Sequence, residues 1–144
     1  MSTIGEMLAK KGSDVATISP GATALDAANL MNARRIGALC VLDKDKLVGV
    51  FTERDLLNRV VSAQLDPART KIADIMTTDV ITCGPNGKTE DCASVMSHER
   101  VRHLPVVENG RLVGLISTGD LMALQVAEKQ AFIEDLYQYL HGRT

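Results

Sequence analysis

The sequence predicts an α/β (α+β) fold built from two β-α-β-β-α copies packed about a pseudo-two-fold axis. Three observations carry this. Sliding the 144-residue chain against itself by 65 positions aligns Val15–Val61 with Val80–Val126 without a gap, and fifteen of the forty-seven aligned positions are identical. Inside each copy, continuous apolar runs alternate with segments of helical periodicity. Polar residues recur as faithfully as apolar ones: LVGVFTERDL at 47–56 returns as LVGLISTGDL at 112–121, so that Asp55 and Asp120 each follow a hydroxyl, Thr52 or Ser117, by three positions.

The elements follow in order. A short echo precedes each copy, IGEML at 4–8 and IADIM at 72–76. A first strand is predicted at Ala16–Ile18 and again at Val80–Thr82, each running toward a proline, Pro20 or Pro85, that ends the ladder. Thr23 then caps a helix with apolar residues at Leu25, Ala28, Leu30 and Met31, and the second copy repeats it over about Thr89–Arg100. ALCVL and LVGVF in the first copy, LPVV and LVGLI in the second, are apolar enough for strands covered on both faces. The turns DKDK and ENGR between them make hairpins. A second helix opens at each repeated motif, and after the second copy it continues through LMALQVAEKQAFIEDLYQYL with Ile133, Leu136 and Leu140 as a stripe. About Ala63–Lys71, with Asp66-Pro67, is a short linker, which forces the copies to pack closely.

Composition narrows the function classes. With 45% hydrophobic and 24% charged residues and a net charge of −2, the chain is of the soluble globular kind, and neither a polybasic patch nor an acidic tail points to nucleic acid or membrane. No apolar run approaches the ~18 residues of a membrane span, and MSTIGEMLAKK lacks the apolar stretch of a signal peptide, so a cytoplasmic location is expected. Phe51, Phe132, Tyr137 and Tyr139, with no Trp, leave no stacking platform for single strands. Cys40, Cys83 and Cys92 lack Cys-x-x-Cys spacing and read as buried or half-buried thiols. His98 and His103 share no helical face, so no metal site is expected.

The repeated aspartate admits two readings from the residues alone. Thr52-x-x-Asp55 and Ser117-x-x-Asp120 have the shape of a capping box, with Asp in place of Glu. A carboxylate beside the free N–H groups of a helix start is also a place for a polar ligand, and the two roles are compatible. Arg34 and Arg35 close a helix, where cations meet its dipole favourably. No nucleophile-base pair, Walker-type loop or Gly-x-Gly-x-x-Gly is present, and no enzyme activity is expected.

These copies, together with DIM at 74–76, RHLPVVE at 102–108 and LVGLISTGDL, resemble a tandem CBS domain, or Bateman module, from Ile4 to about Ala127. The departures are Cys40, where the second copy has the usual Pro105, and Gly119, where the first copy has Arg54. The resemblance implies a single module: a first repeat over 4–63, a linker over 64–71, a second repeat over 72–127 and a C-terminal helical extension over 128–144. It also implies an adenosine-containing regulatory ligand, AMP, ADP, ATP, NAD or S-adenosylmethionine, in clefts between the copies, with no cofactor required. Ligand state would be reported to an unidentified partner protein, and homodimers are common in the family. Such modules occur inside enzymes such as inosine monophosphate dehydrogenase, but this chain has no room for a catalytic barrel beside the repeat.

Carried onto this sequence, the motif aspartates take ribose hydroxyls, and the hydroxyl residues with the helix starts face phosphate. One cleft then combines Thr52, Arg54 and Asp55 with Val101, Arg102 and His103 and is expected to be cationic and phosphate-preferring. The other combines Ser117, Thr118 and Asp120 with Ile18, Ile36, Gly37 and Ala38 and is expected to be nearly neutral. Two other classes of function stay open: a ligand-independent interaction module with vestigial pockets, and a weak nucleotide-processing enzyme.

Overall fold

The computed structural model describes residues 2–141. Its elements are α1 (Ile4–Lys11), β1 (Thr17–Ile18), α2 (Ala24–Arg34), β2 (Ala38–Asp43), β3 (Lys46–Thr52), α3 (Glu53–Asp55, continuing as a π-helix over Leu56–Val61), α4 (Ile72–Ile75), α5 (Thr89–Glu99), β4 (His103–Glu108), β5 (Arg111–Ser117) and α6 (Thr118–His141). β2 and β3 form one antiparallel hairpin, with β1 parallel to β2, and β4 and β5 form the other. Both hairpins turn through two residues of positive φ, Lys44 with Asp45 and Asn109 with Gly110. That geometry matches the twist of the flanking strands.

The copies differ where the sequence predicts a strand at Val80–Thr82. That segment is unpaired, and only Cys83 bridges Val106. The cause is the departure at Cys40. In the first copy the Cys40 N–H donates to the Ala16 carbonyl at 3.2 Å, extending the ladder beyond β1. The aligned residue is Pro105, which has no N–H to offer the aligned Ile81.

Thr23 caps α2 with a full box, its hydroxyl accepting from Asp26 N at 3.1 Å and its N–H donating to Asp26 Oδ2 at 3.0 Å. The equivalent Lys88 gives α5 no side-chain cap. The linker contributes directly to α2, because the carbonyls of Pro67 and Thr70 accept the N–H groups of Leu25 and Ala24. Two donors of the first turn, which have no partner inside a helix, are thereby satisfied.

Two cores form, and the short helices before each copy are exchanged between them. Ile4, Met7 and Leu8 of α1 pack with Cys92, Met96, Leu104, Val106 and Ile116 of the second copy. Ile72 and Ile75 of α4 pack with Met31, Leu39, Val41 and Phe51 of the first. The backbone repeats the exchange: Ile4 N donates to Gly87 O and Ile72 N to Ala22 O, both at 2.8 Å, and Gly87 and Ala22 are aligned positions. Neither copy completes its core without the other's leading helix, which makes the pair one pseudo-symmetric unit. α6 contributes Leu121 and Leu124 to the second core and then runs on, with Phe132, Ile133, Leu136 and Leu140 exposed. No helix among the described residues is long and apolar enough to cross a membrane.

Candidate functional site

Both repeated motifs close as capping boxes. The Thr52 hydroxyl accepts from Asp55 N at 3.2 Å while Asp55 Oδ2 accepts from Thr52 N at 3.0 Å; the Ser117 and Asp120 counterparts are 3.1 and 2.8 Å. Each helix start is anchored to the entry of its own copy's second strand, Glu53 N donating to Gly37 O and Thr118 N to Arg102 O, both at 3.0 Å. A carboxylate at a helix N-terminus is thus set beside a strand entry in each copy, and each arrangement faces the other copy across a cavity.

The first cavity, of about 210 Å³, brings Thr52, Arg54 and Asp55 of the first copy together with Val101, Arg102 and His103 of the second. Its apolar wall is Val80 and Ile81, the segment that fails to pair as a strand. Asp55 is nearly buried, and the Thr77 hydroxyl is shared between its two oxygens at 3.2 and 3.3 Å. Arg59 Nε stands 3.7 Å from Asp55 Oδ1, and its Nη1 donates to the carbonyls of Ile75 and Met76 at the end of α4.

The second cavity, of about 360 Å³, brings Ser117 and Asp120 together with Ile36, Gly37 and Ala38, and adds Val15 and Ala16 as its apolar wall. Ile18 packs against the first core and Thr118 is exposed; neither lines this cavity. Lys11, at the end of α1, reaches in: its Nζ donates to Asp120 Oδ2 at 2.6 Å and to the Leu115 carbonyl. Burial pushes the Asp120 carboxyl up, but the hydrogen bonds from Lys11 and from the backbone and hydroxyl of Ser117 outweigh it and hold the group below its ordinary value.

The first cavity is not cationic as expected, because its lining carries further charges. Arg54, Arg100 and Arg102 line it, but so do Glu53, Asp55 and Asp79, three cations against three carboxylates. In the second, Lys11 and Arg35 stand against Asp14 and Asp120. Both are therefore balanced, and the asymmetry lies in how charges pair. Of these charged residues, Lys11, Asp14 and Asp79 come from the end of α1 and the segments after α1 and α4, which the shift of 65 does not align, whereas Glu53, Arg35 and Arg100 lie inside the aligned copies.

His103 and Gly37 line both cavities, so the two share a wall near the pseudo-two-fold axis. Burial lowers the His103 pKa, against the pull of Asp120 and Glu53 and with the help of Lys11 and Arg102. The cysteines are free thiols, and burial pushes Cys40 and Cys83 up to about 12, which leaves them poor nucleophiles. Among the described residues no three metal-ligating side chains converge.

Comparison with known proteins agrees with this architecture. The family model described as CBS domain matches residues 5–62 and 72–127. A CBS domain-containing protein of Bacillus subtilis, YhcV, is 35% identical over 117 residues, which are 81% of this chain and 83% of that protein. The crystal structure of a CBS-domain containing protein from Agrobacterium tumefaciens superposes with a TM-score of 0.82 at 36% identity, covering 86% of this chain and 99% of that one. A CBS domain pair solved with 5′-methylthioadenosine and S-adenosyl-L-methionine shares the fold, with a TM-score of 0.79 at 24% identity, over 90% of this chain and 99% of that one. The 65-residue repeat, the exchanged helices and the paired clefts thus have one source: the chain belongs to the CBS domain family, as a tandem pair.

Proposed function

We propose that this CBS pair is a non-catalytic, cytoplasmic regulatory module that binds an adenosine-containing ligand of the AMP, ADP, ATP or NAD class and passes its occupancy to a partner protein. One observation carries the reading most strongly: in each cleft an aspartate at a helix N-terminus faces an apolar wall lent by the other copy. A carboxylate accepts two vicinal ribose hydroxyls, the helix start favours an anion, and the wall suits a purine ring. Asp55 already holds a neutral hydroxyl, from Thr77, in the place where a ribose hydroxyl would donate. Exchange of one hydroxyl for another costs little. The solved pair that holds 5′-methylthioadenosine and S-adenosyl-L-methionine supports the same use of this fold.

Ligand binding would act outward because each cavity is walled by both copies, so occupancy changes how they sit together. The exposed stripe on α6 is suited to a second copy, and we propose that the working unit is a homodimer. Mass spectrometry of the protein purified under native conditions, with thermal unfolding in AMP, ATP, NAD and S-adenosylmethionine, tests the reading. A ligand held at about 100 times its dissociation constant should add about 2.7 kcal/mol. No co-purifying molecule and no shift at millimolar concentration would favour an interaction module with vestigial pockets. A new product after long incubation with ATP or NAD would favour a nucleotide-processing enzyme.

A further inference from the structure

The two cavities differ most at one place, and the sequence explains why. The echo that aligns Ile4–Leu8 with Ile72–Met76 places Lys11 opposite Asp79. After Met76 the chain leaves the helix, and Thr77 pairs its backbone with Val50, N to O at 2.9 Å in both directions. After Leu8 the helix instead continues through Ala9, Lys10 and Lys11. Leu115, aligned with Val50, then has no backbone partner from this segment, and its carbonyl takes the Lys11 ammonium instead. The same ammonium closes on Asp120. In the first cavity the corresponding aspartate is hydrogen-bonded by a neutral hydroxyl, with the Arg59 guanidinium no nearer than 3.7 Å; in the second it is hydrogen-bonded directly by an ammonium at 2.6 Å.

We infer that Lys11 makes the second cavity selective for adenosine ligands that carry a phosphate, against neutral or cationic ones. This rests on the proposal that the cavities hold adenosine ligands. A neutral nucleoside must displace the ammonium from Asp120 to place its ribose there, and offers the displaced charge nothing in return. A sulfonium-bearing ligand meets Lys11 and Arg35 as like charges, with Asp14 alone to offset them once Asp120 is taken by the ribose. A phosphate accepts the ammonium as it leaves the carboxylate, so one charge-assisted bond is exchanged for another while Asp120 is freed for the ribose. A lysine on a flexible four-carbon stem can make that swing, and at about one-third exposure this side chain has room for it. The first cavity has Asp79 at the equivalent position and lacks the device, so it does not discriminate in this way.

Calorimetry with AMP, adenosine and S-adenosylmethionine tests this, on Asp55→Ala protein so that the second cavity is read alone. AMP should bind at least about tenfold more tightly than adenosine, a difference of one charge-assisted bond. Adding Lys11→Met should bring the two within about threefold, mainly by strengthening adenosine, and Lys11→Arg should retain the preference. If Asp55→Ala does not fold, the same change of ratio is read on the single Lys11 variants, where the first cavity contributes equally. An unchanged ratio, or equal weakening of all three ligands, overturns the selective role and leaves only a structural one. Absence of binding by the unmodified protein to all three, and to ATP and NAD as well, overturns the proposed function itself.

Discussion

Met76 occupies the space that a side chain at Gly49 would need. A Cβ at Gly49 would lie 2.7 Å from Met76 Sδ and 2.9 Å from the Thr77 carbonyl oxygen, and one at Gly114 would lie 2.7 and 2.8 Å from the two methyls of Leu8. Gly49 and Gly114 are an identical pair of the repeat, and Leu8 and Met76 end the echo before each copy. Glycine therefore recurs because the exchanged helix of the opposite copy meets each hairpin there.

Gly49→Ala is accordingly expected to destabilise the protein by about 1–3 kcal/mol, the usual range for overpacking. Gly114→Ala should cost less. Only the end of a leucine must yield at Gly114, whereas at Gly49 the obstacle includes a backbone carbonyl. Urea unfolding of both variants checks the order, and a larger loss at Gly114 would count against this account.

The two motif aspartates should contribute unequally to stability in the absence of ligand. Asp55→Ala leaves the Thr52 N–H and the Thr77 hydroxyl without their acceptor in a nearly buried place, and removes the carboxylate beside Arg59. A loss of about 2–3 kcal/mol is expected. Asp120→Ala removes one cap and the half-buried partner of a solvent-accessible Lys11, which keeps the Leu115 carbonyl, so about 1 kcal/mol is expected. Denaturation in ligand-free buffer separates the two, and equal losses would show that burial of Asp55 contributes nothing extra.

The repeat, hairpins, capping boxes and long final helix were legible in the sequence, because each depends on local pattern. All six residues assigned to the first cleft line one cavity, and five of the seven assigned to the second do so. Ile18 was misplaced because strand position alone does not say which face a side chain takes. Lys11, Thr77 and Asp79 were missed for a different reason. They lie outside the gapless alignment and enter the sites only through the exchange of α1 and α4, a tertiary event that periodicity does not encode. The unpaired segment at Val80–Thr82 was legible in principle, since the proline at 105 removes the donor that its partner strand needs.

Acid should weaken the fold beginning near pH 6.5. His103 has its native pKa lowered from 6.5 chiefly by burial, so the unfolded chain binds the proton more readily. Stability is then fully present above 6.5 and is lost as pH falls toward the lowered native value. The charged groups facing the ring are Asp120 and Glu53, which favour the proton, and Lys11 and Arg102, which oppose it. Asp120, whose pKa is also lowered, adds a second loss below about 3.8. Melting temperatures from pH 8 to 5 should fall for the unmodified protein and change less for His103→Gln. Parallel curves would mean that another group titrates there.

The stripe on α6 bears on assembly. Val126, Ile133 and Leu140 recur at intervals of seven, with Leu136 three residues after Ile133, and all four are more than 40% exposed. Residues at that spacing share one face of a helix, and an apolar face of this kind suits pairing of two like helices. A second copy can cover the face by a two-fold contact, which closes without exposing a new edge. Light scattering should therefore give a dimer mass across the micromolar range. The double change Ile133→Glu with Leu136→Glu should shift it to monomer while leaving the far-ultraviolet circular dichroism and the two cores intact, since neither residue belongs to them. A monomer mass for the unmodified protein rules the homodimer out. A dimer that survives both glutamates moves the interface away from α6.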